Sequence, residues 1–216
     1  MTCVKICGLS READIEMVNE AQPDFIGFVF APSSRQISFD QAVQLKERLA
    51  RTITPVGVFI DAPFDFITRL YKAGVIAIAQ LHGNEDAAYI TALKELCGIP
   101  VIKAIPIKNA QDLNAATAIP ADYFLFDGGA GLGTSFDWTL LAQAQPLAKP
   151  WFLAGGLDLV CLPGALALKP WGLDVSSGVE SDGHKDPEKI LAFVQAVHAA
   201  YGHSERHGKK RRDDHG

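Results

Sequence analysis

The chain has 216 residues, with 20 Lys and Arg against 25 Asp and Glu, for a net charge of −5. Hydrophobic residues make up 48%, enough for a sizeable core, and this excludes global disorder. The acidic balance argues against nucleic acid as the main partner, no apolar run reaches the ~18 residues of a membrane span, and the start lacks the basic-then-apolar pattern of a secretory signal. The expectation is a cytoplasmic protein with neither a membrane nor a nucleic-acid partner.

Four cysteines, Cys3, Cys7, Cys97 and Cys161, occur without a CxxC pair or neighbouring histidines, so no metal site is expected. Within one strand Cys3 and Cys7 would lie roughly 13 Å apart, against a limit of about 7 Å between bridged Cα atoms. Free thiols in a reducing compartment follow.

In chain order, "CVKIC" predicts the first strand, followed by a helix over "READIEMVNEA". "DFIGFVF" and "PVGVFI" predict the next two strands, trailed by the helical stretches "SFDQAVQLKERLA" and "APFDFITRLYKA". "AIAQLH" and "PVIKAI" follow, with helices over "NEDAAYITALKELC" and "NAQDLNAATA". "DYFLFD", "PWFLAG" and "WGLDVSS" complete the strands, each followed by a helical stretch: "SFDWTLLAQAQ", a weak one near "LDLVCLPGAL", and "DPEKILAFVQAVHAAY". Ser10, Ser38 and Asp186 read as N-caps, and Pro187 suits a first helical position. Units of about 25 residues are too long for hairpins and fit strand-plus-helix repeats. Eight of them without a change of composition predict one α/β domain over residues 1–201, a closed (β/α)₈ TIM barrel. An open doubly wound sheet would carry a Gly-rich turn after its first strand, which "CGLSRE" does not supply. Residues 202–216, "GHSERHGKKRRDDHG", lack apolar periodicity and read as a disordered polar tail.

Side chains of a strand alternate between faces, and in a barrel one face looks inward. Lys5 and Cys7 share one face of the first strand, Gln80 and His82 one face of the fourth, and Asp174 and Ser176 one face of the eighth. Lys103 on the fifth strand and Asp127 at the end of the sixth are assigned the same inward parity. Gln80, Lys103 or Ser176 taken alone reads as a satisfied core polar group. A convergent lysine, cysteine, histidine and two aspartates at a barrel mouth point instead to proton transfer on a small polar substrate. Glycine turns follow the last strands: "AGGL" with Gly155 and Gly156, and "SSGVE" with Ser177 and Gly178. Backbone N–H groups in such turns hold a phosphate in many barrels. "GGAGLGTS" comes near a nucleotide-binding loop, but Thr134 stands where the phosphate-binding lysine belongs, so ATP and GTP are rejected.

The ordered set "VKICGLS", "GFVFAPSSRQIS", "VGVF", "QLHGNE", "VIKAI", "FLFDGGAGLGTSFDW", "LAGGL", "DVSSGVE" and "DGHKDPEKI" resembles phosphoribosylanthranilate isomerases, over residues 4 to 201. The resemblance implies a (β/α)₈ barrel and a cofactor-free Amadori rearrangement in tryptophan biosynthesis. The substrate would be N-(5′-phosphoribosyl)anthranilate and the product 1-(2-carboxyphenylamino)-1-deoxyribulose 5-phosphate. It further implies Cys7 as general base, Asp127 as general acid and Arg35 at the anthranilate end, with the sugar phosphate on the glycine turns. Lys5, His82 and Asp174 are grouped with them as substrate-binding candidates, and two readings of Lys5 stay open: a neighbour that favours the Cys7 thiolate, or the partner of a carboxylate such as Asp174. Indole-glycerol-phosphate synthase would carry an extension before the first strand, and the histidine-pathway isomerase an aspartate in place of Cys7. A catalytically silent phosphosugar-binding module is the alternative from another class. A monomer and a homodimer are both open.

Overall fold

Eight short runs rich in β-branched and aromatic residues lie side by side in chain order and close on themselves in the computed structural model. It describes residues 2–107, 116, 118–127, 138, 141, 147 and 149–202. The strands are β1 (Cys3–Cys7), β2 (Phe25–Val29), β3 (Thr54–Phe59), β4 (Ile78–Leu81), β5 (Val101–Pro106), β6 (Tyr123–Asp127), β7 (Trp151–Ala154) and β8 (Gly172–Val175). All neighbours are parallel, and β1 pairs with β8 to close the barrel, setting Lys5 opposite Asp174. Parallel neighbours need a crossover, and helices supply it. The helices α1 (Glu12–Ala21), α2 (Phe39–Arg48), α3 (Phe64–Lys72) and α4 (Ala87–Cys97) follow the first four strands, α5 (Leu162–Ala167) follows β7 and α6 (Pro187–Gly202) ends the barrel. Most of the helices expected over 109–118 and 135–145, the loop after β6 and the tail beyond Gly202 lie outside the described residues.

Local chemistry starts the helices. Ser38 and Gln41 form a reciprocal capping box on α2, the hydroxyl accepting from Gln41 N and the Gln41 side chain accepting from Ser38 N. Asp186 accepts from the backbone of Glu188 and Lys189, and Pro187 opens α6 as expected. Ser10 does not cap α1. Asp14 reaches back to accept from both Ser10 N and Arg11 N, which moves the cap to Arg11.

Alternation then builds two cores. Outward residues such as Val4, Ile6, Leu81, Phe126, Leu153 and Leu173 pack under the helices. The inward residues grade along the barrel axis. Phe25, Tyr123, Phe152 and Trp171 form an aromatic floor, with Phe152 and Trp171 edge to face at 5.1 Å. Val56, Ile102, Ala104 and Leu125 fill the middle. The polar side chains come at the C-terminal ends of the strands.

Lys103 departs from its expected direction. Ile102 and Ala104 hold the inward parity of β5, so Lys103 points outward. Its ammonium donates to Gly83 O at 2.6 Å and Glu85 Oε2 at 2.8 Å. Glu85 in turn accepts from the backbone of Asp61 and Gly83. A nearly fully buried ion pair thus clamps the turn directly after His82. Replacing Lys103 by Met strands the Glu85 carboxylate, and the expected cost is about 3–5 kcal/mol of unfolding free energy by urea titration. The double variant Lys103→Met, Glu85→Leu should recover part of that loss.

Candidate active site

β1 carries the site's first two groups because its inward positions are Lys5 and Cys7. Lys5 is fully buried, and its Nζ lies 2.9 and 3.0 Å from the two Asp174 carboxylate oxygens on β8. Cys7, one pleat higher, faces a cavity of about 240 Å³ at the C-terminal mouth. That cavity is also lined by Arg35, Gln80, His82, Asp127 and Asp174. The room for Cys7 comes from Gly27 on β2, directly opposite it. A Cβ there would sit 2.6 Å from Cys7 Sγ and 3.1 Å from Lys5 Nζ. Gly8 lets the chain leave β1 at φ +82°, and a Cβ at that point would meet Arg35 Cδ at 2.4 Å.

Electrostatics divide these groups. Burial alone would lower the Lys5 ammonium, but the Asp174 carboxylate and the Cys7 thiol hold it above its ordinary value. Burial pushes the Cys7 thiol up; the Lys5 ammonium opposes this, the Asp174 carboxylate adds to it, and the balance stays upward. Burial likewise raises the Asp174 carboxyl beyond what Lys5 offsets, and Asp127 adds to the rise. The shifts therefore favour the ammonium at Lys5 and the neutral thiol at Cys7.

Arg35 does not stand free. Its Nε and Nη2 donate to the two Glu180 oxygens at 2.8 and 2.7 Å. Lys185 donates to Glu180 Oε1 at 2.7 Å and to Ser176 O at 2.9 Å, and the Ser176 hydroxyl donates to Cys7 O at 3.0 Å. Glu180 and Lys185 face each other across a short antiparallel pair, β9 (Glu180–Ser181) and β10 (His184–Lys185), which follows the single 3₁₀ turn Ser177–Val179. A chain of hydrogen bonds so connects Arg35 to the backbone of the thiol residue.

On the opposite wall His82 Nε2 lies 3.4 Å from Asp127 Oδ2. Gln80 Nε2 lies 3.5 Å from His82 Nδ1, and Gln80 Oε1 is buried without a partner among the described residues. Gln80 is thus not the satisfied core group expected of it, whereas Ser176 is. Gly155 and Gly156 turn with φ of +90° and +68° after β7, and with Ser177 they line the cavity. Gly178 lies outside the lining. A Cβ there would be 1.8 Å from Leu157 O, so this glycine lets the two late turns touch.

Most of the predicted constellation therefore converges on one cavity. Lys5 is the exception among the binding candidates: it sits behind Cys7 and Asp174 and forms no part of the wall. Sequence reasoning missed Gly27, Glu180 and Lys185. A glycine inside a β-rich run was the available signal for the first. Glu180 and Lys185 stand in a turn where charged residues are commonplace. Among the described residues no group of His, Cys, Asp and Glu could hold a metal ion.

A closed parallel barrel with titratable groups and glycine turns at its C-terminal mouth defines a (β/α)₈-barrel enzyme of acid–base type. The comparisons specify it further. The model of the N-(5′-phosphoribosyl)anthranilate (PRA) isomerase family matches residues 4–196. The N-(5′-phosphoribosyl)anthranilate isomerase of Acetivibrio thermocellus is 41% identical over 94% of this chain and 98% of its own. That of Endomicrobium trichonymphae is 43% identical over 91% of this chain and 98% of its own. The phosphoribosyl anthranilate isomerase structure from Thermotoga maritima superposes with a TM-score of 0.84 at 32% identity, covering 92% of this chain and 100% of that one. A further isomerase structure, solved with reduced 1-(o-carboxyphenylamino)-1-deoxyribulose 5-phosphate, has a TM-score of 0.82 at 31% identity, over 92% of this chain and 100% of that one. The chain belongs to the PRA isomerase family.

Two consequences of the electrostatics are measurable. In a background lacking the other three cysteines, iodoacetamide should label Cys7 with a pH midpoint above the ordinary 9.0. Lys5→Met should move that midpoint further up and Asp174→Asn should move it down, because their charges act on the thiol with opposite sign. A midpoint that ignores both changes would remove Lys5 from any role at the thiol. Glu180 supplies the second. Burial would raise its carboxyl, yet Arg35 and Lys185 hold it below the ordinary 4.5. A folded value below the unfolded one gives stability that is complete above pH 4.5 and lost as pH falls through the folded value. Glu180→Gln should accordingly be less stable than the parent at pH 7, with the two urea midpoints converging in acid.

Proposed function

We propose that the chain carries out its family's reaction with Cys7 as general base and Asp127 as general acid. The observation that carries this reading is that both groups face one cavity at the C-terminal mouth, beside the glycine turns. The reaction converts N-(5′-phosphoribosyl)anthranilate to 1-(2-carboxyphenylamino)-1-deoxyribulose 5-phosphate, a step of tryptophan biosynthesis.

Asp127 in its acid form donates a proton to the furanose ring oxygen, the C1′–O bond breaks, and the anthranilate nitrogen lone pair forms the iminium. The iminium acidifies the C2′ hydrogen, and the Cys7 thiolate removes it. The electron pair left at C2′ neutralises the iminium and gives an enolamine, which tautomerises to the ketone. Lys5 supports the thiolate from behind the wall. Burial and Asp174 oppose it, so the base is the fraction of Cys7 that has already lost its proton to solvent.

The binding roles follow from position. Glu180 occupies two of the five Arg35 N–H donors, leaving the others for the anthranilate carboxylate. Gly155, Gly156 and Ser177 offer backbone N–H groups to the sugar phosphate, and Gly178 keeps their two turns in contact. His82 and Asp174 face the ribose hydroxyls. No described helix is long and apolar enough to cross a membrane. The biosynthetic role of the family supports a cytoplasmic site of action. A monomer or a homodimer is the assembly expected; one solved relative from Thermotoga maritima is described as monomers of a dimeric enzyme.

The test follows loss of substrate fluorescence on phosphoribosylanthranilate generated in situ. Wild-type protein should turn it over, while Cys7→Ala and Asp127→Asn should fold and lose about 10²- to 10⁴-fold in kcat. Near-normal rates in both variants would sink the assignment of roles. Binding without turnover by the wild type would favour a silent phosphosugar-binding module.

A further inference from the structure

β4 and the residue that follows it send two polar side chains, Gln80 and His82, into the cavity wall, and the chemistry above uses only His82. Gln80, one pleat below, is 2% exposed. Its amide meets Nδ1 of the imidazole, and the far nitrogen of the same ring meets the acid: 3.5 Å from Gln80 Nε2 to His82 Nδ1, and 3.4 Å from His82 Nε2 to Asp127 Oδ2. Amide, imidazole and carboxyl form one line. Among the described residues these two contacts account for both ring nitrogens of His82.

A neutral imidazole carries one N–H, so the amide's choice at Nδ1 decides what the ring does at Nε2. If the amide N–H donates to Nδ1, the ring proton sits on Nε2 and is donated to Asp127, which favours the ionised carboxylate. If the amide is turned so that its oxygen accepts from Nδ1–H, Nε2 presents a lone pair. Asp127 must then be the donor, which favours the acid form. The first arrangement leaves Gln80 Oε1 buried without a partner. The second pairs that oxygen with Nδ1–H and puts the amide nitrogen at the buried position that Oε1 holds in the first. Ring opening requires the second.

We infer that Gln80 is a positioning residue that sets the tautomer of His82 and, through it, keeps Asp127 protonated for the ring-opening step. The inference rests on the assignment of Asp127 as the acid. Among the described residues, the other charged or titratable side chains facing this line are Asp174 on β8, Cys7 on β1 and Arg35 in the loop after β2, with Lys5 behind Asp174. Lys103 on β5 and Glu85 in the loop after β4 hold the backbone of the neighbouring Gly83. These groups stay constant when Gln80 is changed.

The test compares wild type with Gln80→Met, which keeps the volume and removes both hydrogen-bonding ends, and with Gln80→Glu, which keeps an acceptor at Nδ1. Two-bond ¹⁵N–¹H spectra of the imidazoles report the tautomer, and the His82 signals are assigned by their loss in His82→Gln. Spectra are recorded on the free proteins and with reduced 1-(o-carboxyphenylamino)-1-deoxyribulose 5-phosphate. Wild type with this ligand should hold its proton on Nδ1, Gln80→Met should shift toward Nε2–H in both states, and Gln80→Glu should keep Nδ1 protonated. In kinetics Gln80→Met should lose about 10- to 100-fold in kcat, with KM changed less than about threefold. The alkaline limb of its kcat profile should move to lower pH, because an acid less firmly held in its protonated form loses its proton sooner. Identical tautomers in wild type and Gln80→Met, an unmoved alkaline limb, or loss of the Nδ1 proton in Gln80→Glu overturns the inference. The free-protein spectra need no turnover, so failure of Asp127 as the acid, read from Asp127→Asn, is distinguishable from failure of tautomer control.

Discussion

The pairing of Lys5 with Asp174 ties the closing seam of the barrel to its chemistry. These residues stand opposite each other where β1 meets β8, the last ladder needed to join the two ends of the sheet. Two charges withdrawn from water cost several kcal/mol each, and their attraction offsets this only with good geometry. Both carboxylate oxygens engage the ammonium here, at 2.9 and 3.0 Å. An apolar pair could close the seam as firmly. The charges add a field at Cys7: the ammonium draws the thiol toward its anion, while the carboxylate and burial push it back. Closure and base thus share one interaction.

The rest of the interior is graded around that pair. Aromatic rings seal the floor, aliphatic residues fill the middle, and polar groups gather where the loops can complete their hydrogen bonds. The polar layer is built from shared partners rather than isolated charges. Glu180 serves Arg35 and Lys185 together, Lys185 reaches Ser176, and Ser176 reaches Cys7. On the other side Glu85 and Lys103 fix the turn that follows His82. A buried polar atom without a partner among the described residues stands out against this background, and Gln80 supplies one.

Much of this was legible in the chain. The two-residue period of "CVKIC" and "WGLDVSS" assigned Lys5, Cys7 and Asp174 to the inside before any contact was known, because a pleat leaves a side chain only two directions. The same rule failed at Lys103. In "PVIKAI" every other residue is apolar, so polarity alone cannot tell which face looks inward, and a lysine facing out can be buried as deeply as one facing in. Ser10 failed for a local reason: Asp14 competed for the same backbone donors and won with a charged acceptor.

The sequence by itself determined the strand-and-helix repeat, the inward parity of the titratable residues on β1, β4, β6 and β8, and the resemblance that the family match later bore out. Those properties depend on neighbours within a few residues or on the order of motifs. Only the tertiary structure decided who partners whom. Gly27 matters because Cys7 and Lys5 fill the space its missing side chain leaves, and Arg35 is held by Glu180, 145 positions away in the chain. For Lys5 the sequence left pairing with Asp174 as one of two readings, and the structure makes that contact across 169 positions. Such pairings arise only when the barrel closes, since closure alone brings the first strand beside the last.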